Sequence, residues 1–447
     1  MTIPRLVISV STSGVGKTSI TCAIIYGLKK RGHTIQPFKV GPDYIDPSYL
    51  SSIANNETKN LDVWLMGKNE LMKSFVTSST SDISIIEGVM GYYYDGYGGK
   101  TNHASTHHVA TLLKSPVILV LDASKTSRSI AATALGFTKF HRNSRISGII
   151  LNKIGSKKHE ILCRSALENL KIPIIGVVPK NTENILESRH LGLIPVVEQK
   201  QLQRKIKQVS QQISDYLDFE KLVKICKNVQ HIPKTKLQKF KKPNISIAVA
   251  LDNSFNFYYH DNIQALRREG AKIKFFSPIS DKKIPNCDSI YIGGGFPEVL
   301  GKKLSQNLTM KKSIKQAAEN GIPIYAECGG LMYLTKSIKH NNQKYKMIGL
   351  FDAETEMTKK MTLNYTQGRI ISNCLISSPR NFNAHEFHYS RITNISKDAK
   401  FLYDLKIGEG ISSKKDALSE YNVVASYCHL YFDSGKFALN IIKNSKI

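Results

Sequence analysis

The chain has 447 residues, 41% of them apolar and 22% charged, with a formal charge of +28. These values are those of a soluble globular protein of two or three domains with sizeable cores, and no run of about 18 apolar residues is present that would span a membrane. Seven cysteines without a C-x-x-C pair point to a reducing cytoplasm rather than a structural zinc site, and the first residues, which lack a basic and apolar leader pattern, lead to the expectation of no signal peptide. The lysines are dispersed and no nucleic-acid module is recognisable, so the excess charge is read as solvated surface, with a small polycarboxylate or a nucleotide as the anionic partner.

In chain order, Leu6 to Val10 predicts a strand, Ser11 to Gly16 a glycine-containing loop, and Lys17 onward a helix. Ile20, Ala23, Ile24, Gly27 and Leu28 share one helical face. Strand, loop, Lys17-Thr18 and helix together make a phosphate-binding loop. Gly14, Gly16 and the helix N-terminus would hold phosphates, Lys17 would neutralise them, and the Thr18 hydroxyl would ligate Mg²⁺. Ser11 stands where the usual pattern has its first glycine. Basic residues and Gly32 stop the helix, and Thr34 to Val40 reads as a second strand. The loop after it carries Asp43 and Asp46, placed to hold Mg²⁺ with Thr18 or to form a turn. Ile83 to Ile86 delivers Glu87 to the end of a buried strand, where such enzymes place a carboxylate for Mg²⁺. Tyr92 to Tyr94 and the glycine-rich stretch from Asp95 look like a mobile substrate loop. Further strands end at Asp122, at Asn152 and at Pro179. The amide of Asn152 could read an adenine edge. Strands alternating with helices predict an α/β, doubly wound, mostly parallel sheet.

Residues 198–243 lack glycine, and Lys221 to Lys242 holds eight lysines and no carboxylate. This stretch reads as a helix and basic linker between domains at 1–197 and 244–447. The strand–helix pattern then restarts at Ile245. Ser289 to Ile292 opens into Gly293-Gly294-Gly295, whose backbone amides could stabilise an oxyanion. Ala326-Glu-Cys-Gly-Gly330 is a nucleophile elbow with Cys328 at a helix N-terminus, a position that lowers a thiol pKa. His429, at a strand end, is preferred as its base over His385 and His388. His385 and His388 lie three apart and lack the spacing of a zinc protease.

Val40-Gly-Pro-Asp-Tyr-Ile-Asp-Pro47, Glu87-Gly-Val-Met-Gly91, Asp95-Gly96, Arg189-His-Leu-Gly-Leu193, Gly293-Gly-Gly-Phe-Pro-Glu298 and Ala326-Glu-Cys-Gly-Gly330 together resemble the cobyrinic acid a,c-diamide synthase family, nearly end to end. The resemblance implies a dethiobiotin synthetase-like ATP domain joined to a class I glutamine amidotransferase domain. It further implies ATP as co-substrate, Mg²⁺, glutamine, and amidation of two acetates on a tetrapyrrole polycarboxylate, either cobyrinate or nickel-sirohydrochlorin. Cys328 and His429 would release ammonia, with Gly294 and Gly329 as the oxyanion hole. Lys17, Thr18, Asp43, Asp46, Glu87 and Asp95 would serve acyl-phosphate formation, and the ammonia must reach that site without becoming ammonium. The chain departs from the family pattern at Val10, at Ala384 and in the extra tyrosine after Gly91. Tyr431 stands where many amidotransferases carry an acid two residues after the histidine, which predicts a Cys–His pair without an orienting carboxylate. A homodimer is one open assembly. The rival reading, a partitioning-type regulatory ATPase, would need a lysine where Thr12 stands and has no use for Cys328.

Overall fold

The computed structural model describes residues 1–94, 98–182, 200–235, 239–376 and 381–445. The chain forms two compact units, Met1–Leu237 and Gln238–Ile447.

The first unit runs β1 (Arg5–Val10), α1 (Lys17–Lys30), β2 (Ile35–Val40), α2 (Asp46–Ala54), β3 (Lys59–Leu61), α3 (Val63–Ser78), β4 (Ile83–Glu87), α4 (Thr106–Leu112), β5 (Val117–Asp122), α5 (Ser129–Lys139), β6 (Ile146–Ile154), α6 (Lys157–Leu167), β7 (Ile174–Pro179), α7 (Lys200–Ser214) and α8 (Phe219–Lys227). Its seven strands are all parallel, in the order β3-β2-β4-β1-β5-β6-β7. Every residue of β1, β2 and β4 is buried, as expected of a sheet covered on both faces. Strands preceding β5 lie to one side of β1 and later ones to the other. The loops after β1, β2 and β4 therefore gather at the reversal of strand order, where open α/β sheets bind ligands.

The stretch expected to be helix and linker forms α7 and α8, and both are part of this unit's core. Leu202, Ile206, Val209 and Ile213 recur at helical spacing on one buried face of α7, and Phe219, Leu222 and Cys226 follow from α8. Gly27 of α1 has no side chain because the Phe219 ring fills that space: a Cβ there would come within 2.0 Å of it. Arg31 caps the same ring from above, 4.0 Å from its centroid. The compact unit thus continues forty residues past the expected boundary at 197.

The second unit comprises β8 (Ile245–Ala250), α9 (His260–Arg268), β9 (Ala271–Phe276), β10 (Ser289–Ile292), α10 (Gly301–Gln306), α11 (Leu308–Glu319), β11 (Ile324–Glu327), α12 (Gly329–Leu334), β12 (Ser337–His340), β13 (Gln343–Lys346), β14 (Glu354–Ile370), β15 (Asn381–Thr393), β16 (Lys400–Ile407), β17 (Lys415–Glu420), β18 (Val423–Ser426), β19 (His429–Leu430) and α13 (Phe437–Asn444). Strands β9, β8, β10, β11 and β18 are parallel, and β17, β16 and β14 extend the sheet antiparallel. β15 pairs with β14 and with β19, opposite which His385 and His429 are direct partners. No helix among the described residues is long and apolar enough to cross a membrane.

Candidate functional site

The phosphate loop leads into α1 through Gly16, whose φ of +87° is left-handed. No side chain caps this helix and no acid lies in its first turn, so its leading N–H groups and positive dipole end are left for an anion. Lys17 Nζ donates to the Met90 carbonyl at 3.4 Å. Burial, with Lys39 nearby, brings its pKa down to about 8. Phosphate oxygens would return it to its ordinary range.

Lys39, to which the sequence reading assigned no role, organises the carboxylates. It is a direct partner of Glu87 across β2 and β4, and its Nζ lies 2.6 Å from Glu87 Oε1 and 2.5 Å from Asp46 Oδ2. Burial works against the ammonium, but Asp46, Glu87 and Asp43 together outweigh it and raise the Lys39 pKa. Lys39 in turn keeps Asp46 ionised against burial, whereas burial dominates at Glu87 and raises it. Asp43 is spent on a turn: its Oδ1 accepts from the amides of Ile45 at 2.7 Å and Asp46 at 3.3 Å. Its Oδ2 stands 3.8 Å from Lys39. Burial and Asp46 push the Asp43 carboxyl upward.

The residues for Mg²⁺ fit. Thr18 Oγ1 lies 3.1 Å from Glu87 Oε1, while the buried Glu87 Oε2 has no hydrogen-bond partner among the described residues. A hydroxyl and a carboxylate beside a phosphate loop are hard oxygen donors of the kind that would hold Mg²⁺ there. No cluster of three or more His, Cys, Asp or Glu that could hold a metal occurs among the described residues.

Two expectations are corrected here. Asn152 is fully buried, donating through Nδ2 to the Val15 carbonyl at 2.8 Å and accepting from the Lys153 amide. It braces the phosphate loop and presents no free edge to adenine. Lys153 adds a second brace, bonded to the Gly14 carbonyl and paired with Asp122 at 2.9 Å. Nor are the tyrosines a mobile loop. Tyr92 is buried with its hydroxyl 3.2 Å from His107 Nδ1, and Tyr93 donates to the Phe137 carbonyl. Tyr94 alone of the three is exposed. Asp95 and the Arg189–Leu193 motif lie outside the described residues.

In the second unit, Cys328 joins β11 to α12 with φ 49° and ψ −101°, a strained backbone that an elbow nucleophile requires. Burial, and after it Glu298, raise its pKa; the Gly329 amide opposes them without prevailing. The lowered thiol pKa expected from the helix end is thus overturned, because α12 is a six-residue helix in a buried, acidic setting. Gly329 and Gly295 approach closely: a Cβ on Gly329 would meet the Gly295 amide nitrogen at 3.0 Å. Gly294 instead faces His429, whose Cε1 a Cβ would meet at 2.7 Å. Gly295, unlike Gly294, lines the cavity of Cys328.

His429 is fully buried and stacks on His385 with ring centroids 4.9 Å apart. Its Nδ1 stands 3.5 Å from Glu327 Oε2. An acid thus stands beside His429, and it comes not from two residues downstream but from the residue before the cysteine. Glu327 is fixed by the hydroxyls of Tyr291 and Tyr325 and by the Leu430 amide. His388 lines the cavity, but its Nδ1 is bonded to the Ser390 carbonyl and burial brings its pKa to about 4.

The CobQ/CobB/MinD/ParA nucleotide binding domain matches residues 6–194, and the CobB/CobQ-like glutamine amidotransferase domain matches residues 246–437. The cobyrinate a,c-diamide synthase of Listeria innocua is 39% identical, covering 96% of both chains. That of Picrophilus torridus is 42% identical over 97% of both. That of Methanosarcina acetivorans is 37% identical over 96% of this chain and 92% of its own. The chain belongs to the cobyrinate a,c-diamide synthase family. Like that family it is an ATP-dependent ligase that takes nitrogen from glutamine, which sets aside a regulatory ATPase. Within this family frame, Lys39 and Glu327 are the residues that sequence reasoning missed. A lone lysine in the apolar strand IQPFKV, and an acid on a buried strand directly before the nucleophile, were the available signals.

Proposed function

We propose that the chain amidates the a and c acetate carboxylates of cobyrinate, each through an acyl phosphate. What supports the reading is that one chain, matched end to end by synthases of that name, carries an uncapped helix N-terminus beside Lys39-bound carboxylates, and elsewhere Cys328 on its strand-to-helix elbow with His429 beside Glu327. A carboxylate oxygen attacks the γ-phosphorus of ATP, the bond to ADP breaks, and an acyl phosphate results. Lys17 and the α1 amides hold the phosphates, and Lys39 keeps Asp46 charged while Thr18 and Glu87 would hold Mg²⁺. When bound, that ion supplies positive charge to the phosphate oxygens.

In the second unit, Cys328 Sγ attacks the glutamine side-chain carbonyl as His429 takes its proton. The amides of Gly295 and Gly329 hold the oxyanion. Because the resting thiol is held protonated, attack waits for this transfer, and Glu327 stabilises the imidazolium. His429 returns the proton to the departing ammonia, and water then cleaves the thioester to glutamate. Ammonia displaces phosphate from the acyl phosphate and leaves the amide.

The test is the purified chain with ATP, Mg²⁺ and glutamine, given cobyrinate and nickel-sirohydrochlorin in separate reactions, with products read by mass spectrometry. Two successive hydroxyl-to-amide exchanges on cobyrinate are expected. A larger kcat/KM on nickel-sirohydrochlorin would overturn the substrate assignment.

A further inference from the structure

Glu298 lies in the cavity that opens onto Cys328 and is only 8% exposed; its carboxylate is met by its own backbone amide, and no cation pairs with it among the described residues. No lysine or arginine lines this cavity, and its one histidine, His388, is neutral at physiological pH. The remaining walls are largely apolar, with Phe257, Phe296, Met332 and Phe387 among them. The only formal charge at the cavity wall is therefore negative and uncompensated, which is costly unless a ligand brings a cation.

We infer that Glu298 receives the α-ammonium group of free glutamine and so selects the free amino acid over amides that lack that group. This rests on the proposal that Cys328 attacks glutamine. Glutamine is a side-chain amide separated by two methylenes from a carbon bearing an ammonium. Its amide would reach Cys328, its methylenes the apolar walls, and its ammonium Glu298. The cavity's own electrostatics match this: burial raises Glu298 to about 7, a position that a bound ammonium would reverse. Glu298 is a specificity residue and takes no part in proton transfer.

The experiment compares glutamine with glutaramate, the same amide without the amino group, as nitrogen donors for the full chain. Wild type is expected to prefer glutamine by about ten- to a hundred-fold in kcat/KM, the range of one charge-assisted hydrogen bond. In Glu298→Gln that preference collapses to within about threefold, chiefly through KM for glutamine. A purely structural role would instead depress both donors alike. Should the variant not fold, wild type decides: equal use of the two donors, or equal calorimetric affinity, overturns the inference. Use of glutamine with no such preference leaves the proposed function standing, whereas neither binding nor use of glutamine defeats both.

Discussion

In the first unit Glu87 is fully buried with Lys39 2.6 Å away, whereas in the second Glu298 is nearly as buried with no cation beside it among the described residues. The first arrangement carries its own counter-charge. Lys39 holds Asp46 and Glu87 in place through Coulomb attraction, so the site is ready for a polyanion and a metal before either arrives. The second leaves one charge unmatched, and substrate binding completes it. A site that must accept a large anionic nucleotide profits from carboxylates whose charge is already offset, while one that must recognise a small zwitterion gains discrimination from what it lacks.

The sharpest break between the halves comes from removing one nucleophile and one phosphate ligand. Cys328→Ala should lower glutamine-dependent amidation by at least about a thousandfold while sparing turnover with ammonium salts; Lys17→Ala should remove turnover with either source. Loss of both in Cys328→Ala would refute the division of labour. Next in size, Lys39→Met strands the buried Glu87 and the partly buried Asp46 and should cost about 3–5 kcal/mol of first-unit stability. Trp64, the single tryptophan, lies in that unit and reports its unfolding in urea. An unchanged midpoint would mean that Lys39 compensates nothing.

The contrasting case is Glu298. Burial raises it from 4.5 to about 7, so between those pH values the folded chain holds a proton that the unfolded chain has released. Stability therefore falls as the pH rises through this window and the full cost is present above it. Without glutamine, Glu298→Gln should be more stable than wild type at pH 8, by up to about 3 kcal/mol, with the gap closing towards pH 5. Circular dichroism in urea checks this, and a gap independent of pH would mean that a counter-charge is already there. Smallest is Asn152→Ala, which frees the Val15 carbonyl and should raise KM for ATP about tenfold without changing the ratio of ATP to GTP use. A collapse of that ratio would restore Asn152 as a reader of the base.

What could be read from the sequence was whatever is local along the chain. Gly14, Gly16, Lys17 and Thr18 lie within five residues, and Cys328 sits inside its own elbow, so each declared its chemistry. Lys39 and Glu87 meet only because β2 and β4 are neighbours in register, forty-eight residues apart. His429 meets Glu327 because β18, which pairs Ser426 with Glu327, leads directly into β19, a relation that spacing does not encode. Asn152 occupied the expected strand end, but its burial beneath the phosphate loop decided what its amide does. Cys328 followed the rule for a helix end until burial and acids proved stronger. The helices after residue 198 were hidden by their lysines, which drew notice to the wet face and away from Leu202, Ile206, Val209 and Ile213 on the other.

Phe219 pressed against Gly27 ties the catalytic helix to a segment beyond every recognisable nucleotide-site motif. A fragment cut at 197 would keep each of those motifs and leave the rear of α1 facing water, stripped of the side chains from Leu202 to Cys226 that cover it. Such a fragment would clump rather than bind ATP. For anyone wishing to isolate the nucleotide half, the scissors belong near residue 237.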